Sequence, residues 1–342
     1  MGERPPLDSP VPSRPTVSVV ITAYNRRTYL LTALQSIVQQ RGMRQPFEVV
    51  IIKNFADPEI DAFIQSHGFV LKNLPDGSVG NYLATAIQVA KGDVIAFLDD
   101  DDTFYPGKLA RVERAFAEDP QLVYFHNGHD IRYDDSRRAR SLLHQPVSFN
   151  MTLDSATAQR GEIDRLIAWN LLVNLSCVSM IRSALLAHID AVRTLNGATD
   201  YMAIYLAFAH GGHLVFDKEV LTTYRIHESS MRPSGSVEDS ARSVSVLAQF
   251  QVECHSFGTR LRGNAAIAEV ASGMRSQWVW LRCLMGKPTR REVLRAHAEY
   301  FRSSLLIRPR YALLSLAFGV GSLLSPSLGR KMFLASRSVA SH

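Results

Sequence analysis

Lys91-Gly92-Asp93-Val94-Ile95-Ala96-Phe97-Leu98-Asp99-Asp100-Asp101-Asp102-Thr103 joins five consecutive apolar residues to four consecutive carboxylates. An uninterrupted apolar run of this length is expected to be a strand buried on both faces. Four adjacent anions repel one another and suit neither a helix nor a strand interior. At the carboxyl end of a buried parallel strand, however, they would stand in the crevice where open α/β sheets bind ligands. A ligand set made only of oxygen suits a hard divalent cation, Mg²⁺ or Mn²⁺, able to bridge substrate phosphates. A solvated acidic turn is the plain alternative. The position of the run, directly behind an apolar strand, argues against it.

The same pattern extends outward. Val17–Ile21 is an expected first strand, with Thr22-Ala23-Tyr24-Asn25 as the turn at its end. A helix over Thr28–Gln40 carries Leu30, Leu31, Leu34, Ile37 and Val38 on one face. Strands at Phe47–Ile52 and Phe69–Leu74 flank a helix opened by Asp57-Pro58, proline suiting a first helical turn. Gly77–Gly80 forms a turn, a helix runs over Tyr82–Ala90, and the acidic strand is fourth. A helix from Pro106-Gly107 to Glu118 and a strand at Leu122–His126 follow. This alternation implies a doubly wound, mostly parallel α/β sheet with helices on both faces. Past Tyr133 the pattern loosens, with a helix over Glu162–Leu172, a strand over Leu175–Ile181 and a helix over Asp200–His210. Two short strands, His213–Phe216 and Val220–Arg225, come next.

With 342 residues and 46% apolar content, the chain has material for a large core. Residues 1–15 carry proline and charge without an apolar segment and are expected to be a disordered leader of a cytoplasmic protein, not a signal peptide. The main α/β unit is expected over residues 16–236, with a C-terminal helical region over 237–342. Cys177, Cys254 and Cys283 lack metal-ligand spacing and fit free thiols. Net charge is +6, concentrated in a tail bearing Arg290, Arg291, Arg295, Arg302, Arg308, Arg310, Arg330, Lys331 and Arg337. Between Arg310 and Arg330 lies an uncharged run diluted by Ser315, Gly319, Gly321, Ser322 and Pro326. That composition fits residues 308–331 as an interfacial helix at the inner face of a membrane, or one packed on the main domain or a second copy in a homo-oligomer.

Four motifs in order resemble the inverting, DxD-containing family 2 glycosyltransferases of GT-A fold. They are Val20-Ile21-Thr22-Ala23-Tyr24-Asn25, Ala90-Lys91-Gly92-Asp93 running into Asp99-Asp100-Asp101-Asp102, Thr199-Asp200-Tyr201, and Tyr224-Arg225-Ile226-His227-Glu228-Ser229-Ser230. The resemblance covers about Val17 to Ser230 and implies a nucleotide-binding half (16–130) and an acceptor half (131–236). It implies a UDP-, GDP- or dTDP-linked sugar as donor, a saccharide or lipid-linked acceptor, and Mn²⁺ or Mg²⁺ as cofactor. Asp101, with Asp99 and His227, would hold the metal. Thr22, Ala23, Tyr24, Asn25, Asn54, Gly77, Asp99 and Asp100 would line the nucleotide, Tyr24 offering a ring face to the base. Asp200 would be the general base, since inversion by one in-line displacement needs a carboxylate to take the acceptor proton. Its local alternative is a helix N-cap, shared with Thr199. Arg225 and Lys53 would support the site, with Lys53 or Arg132 supplying the diphosphate contact of an arginine that the family often places before its Ala-Lys-Gly segment and that this chain lacks. Asn54 stands where the family usually has an acidic residue.

Two other classes stay open. Asp99-x-Asp101-x-Thr103 also fits the signature of haloacid-dehalogenase-like, Mg²⁺-dependent phosphatases, although no later Gly-Asp-x-x-x-Asp pair accompanies it. A non-enzymatic binding module with a basic tail is the third reading. Nucleic acid is not an expected partner, because the arginines are not interleaved with aromatic residues.

Overall fold

The computed structural model describes residues 15–75, 77–134, 149–168 and 174–227, with scattered positions between 253 and 328. Strands β1 (Val17–Ala23), β2 (Glu48–Lys53), β3 (Val70–Asn73) and β4 (Val94–Asp99) alternate with helices α1 (Leu30–Val38), α2 (Pro58–Ser66) and α3 (Val79–Val89). The four strands are parallel in the order β3-β2-β1-β4. The chain therefore steps outward from β1 and returns on its other side as β4. That reversal opens a crevice at the carboxyl ends of β1 and β4.

The apolar runs are buried for a reason of period. Val19 and Ile21 of β1, with Val94, Ala96 and Leu98 of β4, pack on the face covered by Leu30, Leu34, Ile37, Ile60 and Ile64. Val20, Ile95 and Phe97 point to the opposite face, against Leu83, Ile87, Ile204 and Phe208. Successive strand residues alternate faces, so a strand with two covered faces must be apolar throughout. Asp57 starts α2 as expected, its Oδ1 accepting from the Ile60 N–H at 3.2 Å with Pro58 in the first turn.

Beyond β4 the order departs from a purely parallel sheet. The short β5 (Thr103–Phe104), helix α4 (Lys108–Glu118) and the long β6 (Leu122–Tyr133) come first. Then come β7 (Met151–Asp154), α5 (Arg160–Ala168), a 3₁₀ turn at Leu175–Cys177, β8 (Val178–Ile181), α6 (Arg182–Leu186) and α7 (Ile189–Arg193). Helix α8 (Thr199–His210) and β9 (His213–Ile226) follow. Strand β8 is antiparallel to both β4 and β6, while β9 runs parallel to β6. Two sequence expectations are corrected here. The strand expected from Leu175 begins at Val178 because Leu175–Cys177 form the 3₁₀ turn. The two strands expected at 213–216 and 220–225 are one, since β6 pairs across the polar Asp217-Lys218-Glu219 interruption with register shifts beside Gly128. A Cβ at Gly128 would lie 2.7 Å from the Lys218 carbonyl oxygen.

The expected leader, residues 1–15, lies outside the described residues except Pro15, and most of 237–342 does too. Among described C-terminal positions, Cys254, Phe257, Ile267 and Val270 are buried in the core cluster that contains α8. Phe257 stacks on Tyr205 with ring centroids 6.3 Å apart. Among the described residues, no helix is long and apolar enough to cross a membrane.

Candidate active site

Three strand ends and one helix start form the rim of the crevice. Thr22 and Ala23, the last residues of β1, lie in register with Asp99 on one side and with Ile52 and Lys53 on the other. Tyr24 follows, 48% exposed, with its ring edge against Tyr82 at 5.8 Å. Gly77 lies next to the same Tyr82 ring. Asn25 adopts a left-handed φ of 53°, which asparagine tolerates well. It is held there by Asn54: the Asn25 N–H donates to Asn54 Oδ1 and Asn54 Nδ2 donates to Asn25 Oδ1, both at 2.8 Å. Asn54 thus ties the β1 and β2 ends together below Tyr24.

Lys53 does not reach the crevice. Its side chain is fully buried, its ammonium donates to the Phe55 carbonyl and pairs with Asp61 of α2 at 2.7 Å. The supporting role expected for it at the diphosphate is corrected to anchoring α2, because the last residue of β2 points into the sheet face rather than along the strand.

The acidic run is sorted by the turn it makes. The Asp99 N–H donates to Ser176 Oγ at 2.9 Å, fastening the end of β4 to the 3₁₀ turn. Asp100 is buried and gripped by Arg26, through Nη2 on one oxygen and Nε on the other. Asp101 Oδ2 lies 2.8 Å from Arg26 Nη1 and 2.9 Å from His227 Nε2. Asp102 points inward: Oδ1 accepts from the Arg225 N–H at 2.8 Å, Oδ2 is buried, and the Ser176 and Asn174 side chains also act on the carboxyl. Oxygens of Asp99, Asp101 and Asp102 lie within 4.8 Å of one another, a grouping able to hold a cation. Asp102 thus joins the expected Asp99 and Asp101, while His227 touches the group through Asp101.

This crowding disfavours ionisation. Desolvation, then the nearby carboxylates of Asp102, Asp101, Asp200 and Asp100, hold the Asp99 carboxyl well above the usual range. Burial and Asp101 push Asp102 up to about 8 against its hydrogen bonds. Burial raises Asp100 to about 6, with the Arg26 guanidinium opposing.

Asp200 occupies the first turn of α8, behind Ala198 at a left-handed φ of 53°. Its Oδ2 accepts from the Asn174 N–H at 3.2 Å, and its charge acts on Asp99. Asn174, itself at φ 82°, also accepts from the Ser176 N–H. The Asn174–Cys177 turn therefore bridges the metal-type carboxylate and the candidate base. Arg225 supports the acidic turn: its Nε donates to the Asp101 carbonyl at 3.0 Å, and Nη1 pairs with Asp134 at 2.9 Å over the Tyr29 ring. Behind the turn, Lys108 Nζ is fully buried and bonded to Asn127 Oδ1 and the Ser176 carbonyl, both at 2.6 Å. Burial lowers its pKa to about 7.

Arg26, Asn174, Ser176 and Lys108 were not legible as site residues in the sequence. The only local signal was Arg26 itself, a cation directly following the strand-end turn. The Lys91-Gly92-Asp93 motif lies at the other end of β4 and is structural. Gly92 N–H donates to Ser18 Oγ at 2.7 Å, and Asp93 accepts from the Thr16 N–H at 2.9 Å.

The family model described as Glycosyl transferase family 2 matches residues 18–190, half of the chain. The uncharacterized glycosyltransferase YwdF of Bacillus subtilis (strain 168) is 30% identical over 132 residues, 36% of this chain and 48% of that protein. Matches to the first curated relatives span only 36–48% of those proteins' lengths. Among solved structures, S. aureus TarS 1-349 in complex with UDP-GlcNAc superposes with a TM-score of 0.57 at 12% identity, covering 94% of this chain and 92% of that one. The mannosyltransferase PcManGT of Pyrobaculum calidifontis, in complex with GDP-Man and Mn²⁺, gives 0.50 at 13% identity, covering 97% and 87%. These superpositions establish the shared fold.

Proposed function

The chain belongs to glycosyl transferase family 2, and from that premise we propose that it transfers a sugar from a nucleoside-diphosphate donor to an acceptor hydroxyl with inversion. The phosphatase and binding-module readings fall with that membership. One observation carries the finer reading: the Asn174–Cys177 turn ties Asp99, at the end of β4, to Asp200, at the start of α8. Donor-side and acceptor-side carboxylates are thereby held in one frame. The nucleotide-sugar complexes of the two structural neighbours support a donor of that class.

In this reading Tyr24 stacks on the base, with the backbone of Thr22 and Ala23 beneath it. Asp200 accepts the proton of the acceptor hydroxyl as its oxygen attacks the anomeric carbon. The bond from that carbon to the diphosphate oxygen breaks on the opposite side, and the nucleoside diphosphate leaves. Asp99, Asp101 and Asp102 fit a hard divalent cation by their all-oxygen chemistry and their mutual proximity. What such an ion supplies when bound is Lewis-acid relief of the charge growing on the leaving diphosphate. Arg225 holds the acidic turn in shape.

The acceptor belongs to the same proposal. Val320 and Leu324, four residues apart, are 50% and 73% exposed and lie in sequence between basic Arg310 and Arg330-Lys331. That combination supports a tail resting on an anionic membrane face and a lipid-linked or membrane-proximal saccharide as acceptor. Flotation with anionic vesicles, lost on Leu324→Ser, tests it; equal flotation of the variant refutes it.

The donor site is tested by calorimetric titration with UDP, GDP, dTDP and CDP, each with Mn²⁺ and with EDTA. One nucleotide binding best, only with metal, and lost in Asp101→Ala supports the reading. No nucleotide binding under any condition overturns it.

A further inference from the structure

Arg26 uses its whole guanidinium on the acidic turn. Nε and Nη2 grip the two oxygens of Asp100, and Nη1 lies 2.8 Å from Asp101 Oδ2 and 3.1 Å from His227 Nε2. Asp101 Oδ2 is therefore shared between two nitrogens. His227 Nε2 is engaged whichever tautomer it adopts: protonated it donates to Asp101, and unprotonated it accepts from Arg26. A cation that takes that oxygen, or that nitrogen lone pair, competes with Arg26 Nη1 for it.

We propose that Arg26 is a resident cation of the crevice, released from Asp101 when donor diphosphate and divalent metal bind together, so that it couples the two binding events. The proposal rests on the reading that Asp99 and Asp101 hold a divalent ion. The geometry permits the release. The Arg26 side chain is 29% exposed, against 8% for Arg225, so it has room that its neighbour lacks. Asn25 before it is pinned to Asn54, so the backbone stays in place while the guanidinium pivots about Asp100. The freed N–H groups stand beside Asp101, within reach of a diphosphate that shares a cation with it. A guanidinium fork suits phosphate oxygens better than any other side chain. Without donor, Arg26 competes with the metal for Asp101; with donor, it has a second anion to hold. Coupling of this kind is reciprocal, typically 5- to 150-fold.

The test is Mn²⁺ titration of the full chain followed by electron paramagnetic resonance, alone and with saturating UDP or GDP. Wild type is expected to bind Mn²⁺ at least about tenfold more tightly with the better nucleotide. Arg26→Ala is expected to bind Mn²⁺ alone about tenfold more tightly than wild type and to lose most of the nucleotide enhancement. Arg26→Lys keeps the charge but cannot hold Asp100 and Asp101 together, so it shifts the same way to a smaller extent and serves if the alanine variant fails to fold. Unchanged or weaker nucleotide-free Mn²⁺ binding in the folded variants overturns the role of Arg26 while leaving the cation site standing. No Mn²⁺ binding by any form, with or without nucleotide, overturns the cation site and this proposal together.

Discussion

Asp200→Asn separates catalysis from architecture at the candidate base. The asparagine Oδ1 can still accept from the Asn174 N–H, which lies 3.2 Å from Asp200 Oδ2, so the turn that carries Ser176 should keep its shape. The lost charge has two opposed effects on stability. Its favourable interaction with the amino end of α8, about 0.3–1 kcal/mol, disappears. So does its repulsion on Asp99, one of the causes holding that carboxyl above its usual range. The two offset, and the melting temperature should move by only a few degrees. Transfer, by contrast, loses the group that takes the acceptor proton, a factor of about 10²–10⁴, or roughly 2.7–5.5 kcal/mol in the barrier. The assay is nucleoside diphosphate released under saturating donor and acceptor, beside calorimetric donor affinity. Donor affinity should stay within about threefold while the rate falls at least a hundredfold. A rate within threefold of wild type would reduce Asp200 to a helix-start residue. A parallel fall in donor affinity would make its role structural.

Tyr24→Ala should weaken the preferred nucleotide by roughly 5- to 150-fold, the equivalent of about 1–3 kcal/mol of base stacking, while Tyr24→Phe stays near wild type; equal affinities for both variants would remove Tyr24 from the base site. Gly92→Ala places a Cβ 2.5 Å from Ser18 Oγ and 2.7 Å from the Ser18 nitrogen. Backbone cannot yield as a flexible side chain does, so a loss of about 1–3 kcal/mol is expected in urea unfolding, and an unchanged midpoint would contradict the tight β1–β4 contact. Lys108 has its pKa lowered from 10.5 to about 7 by burial. Between those values the unfolded chain binds more protons, so Lys108 makes stability rise with pH across that window, by up to about 1.4 kcal/mol per unit. Lys108→Met should flatten that rise in denaturation curves at pH 7 to 10; an identical slope would mean that Lys108 stays charged in the fold.

The amino-acid sequence by itself determined the layered part of this protein. A two-faced strand must be apolar at every position and a one-faced helix apolar every third or fourth, so β1, β2, β4, α1 and α4 are visible within windows of a dozen residues. The same local logic placed the carboxylates of Asp99–Asp102 and the turn at Thr22–Asn25 at strand ends, and put Asp200 at a helix start. Tertiary structure alone decided which charge meets which. Lys53 looked available for a phosphate until α2 brought Asp61 to it. Arg26 carried no role in the sequence until the β1–β4 neighbourhood set it against Asp100 and Asp101. Asp102 turned inward because Arg225, 123 residues later, offers its N–H there. Hydrophobic periodicity is a property of neighbouring residues, whereas an ion pair is a property of two segments that only the folded sheet makes adjacent.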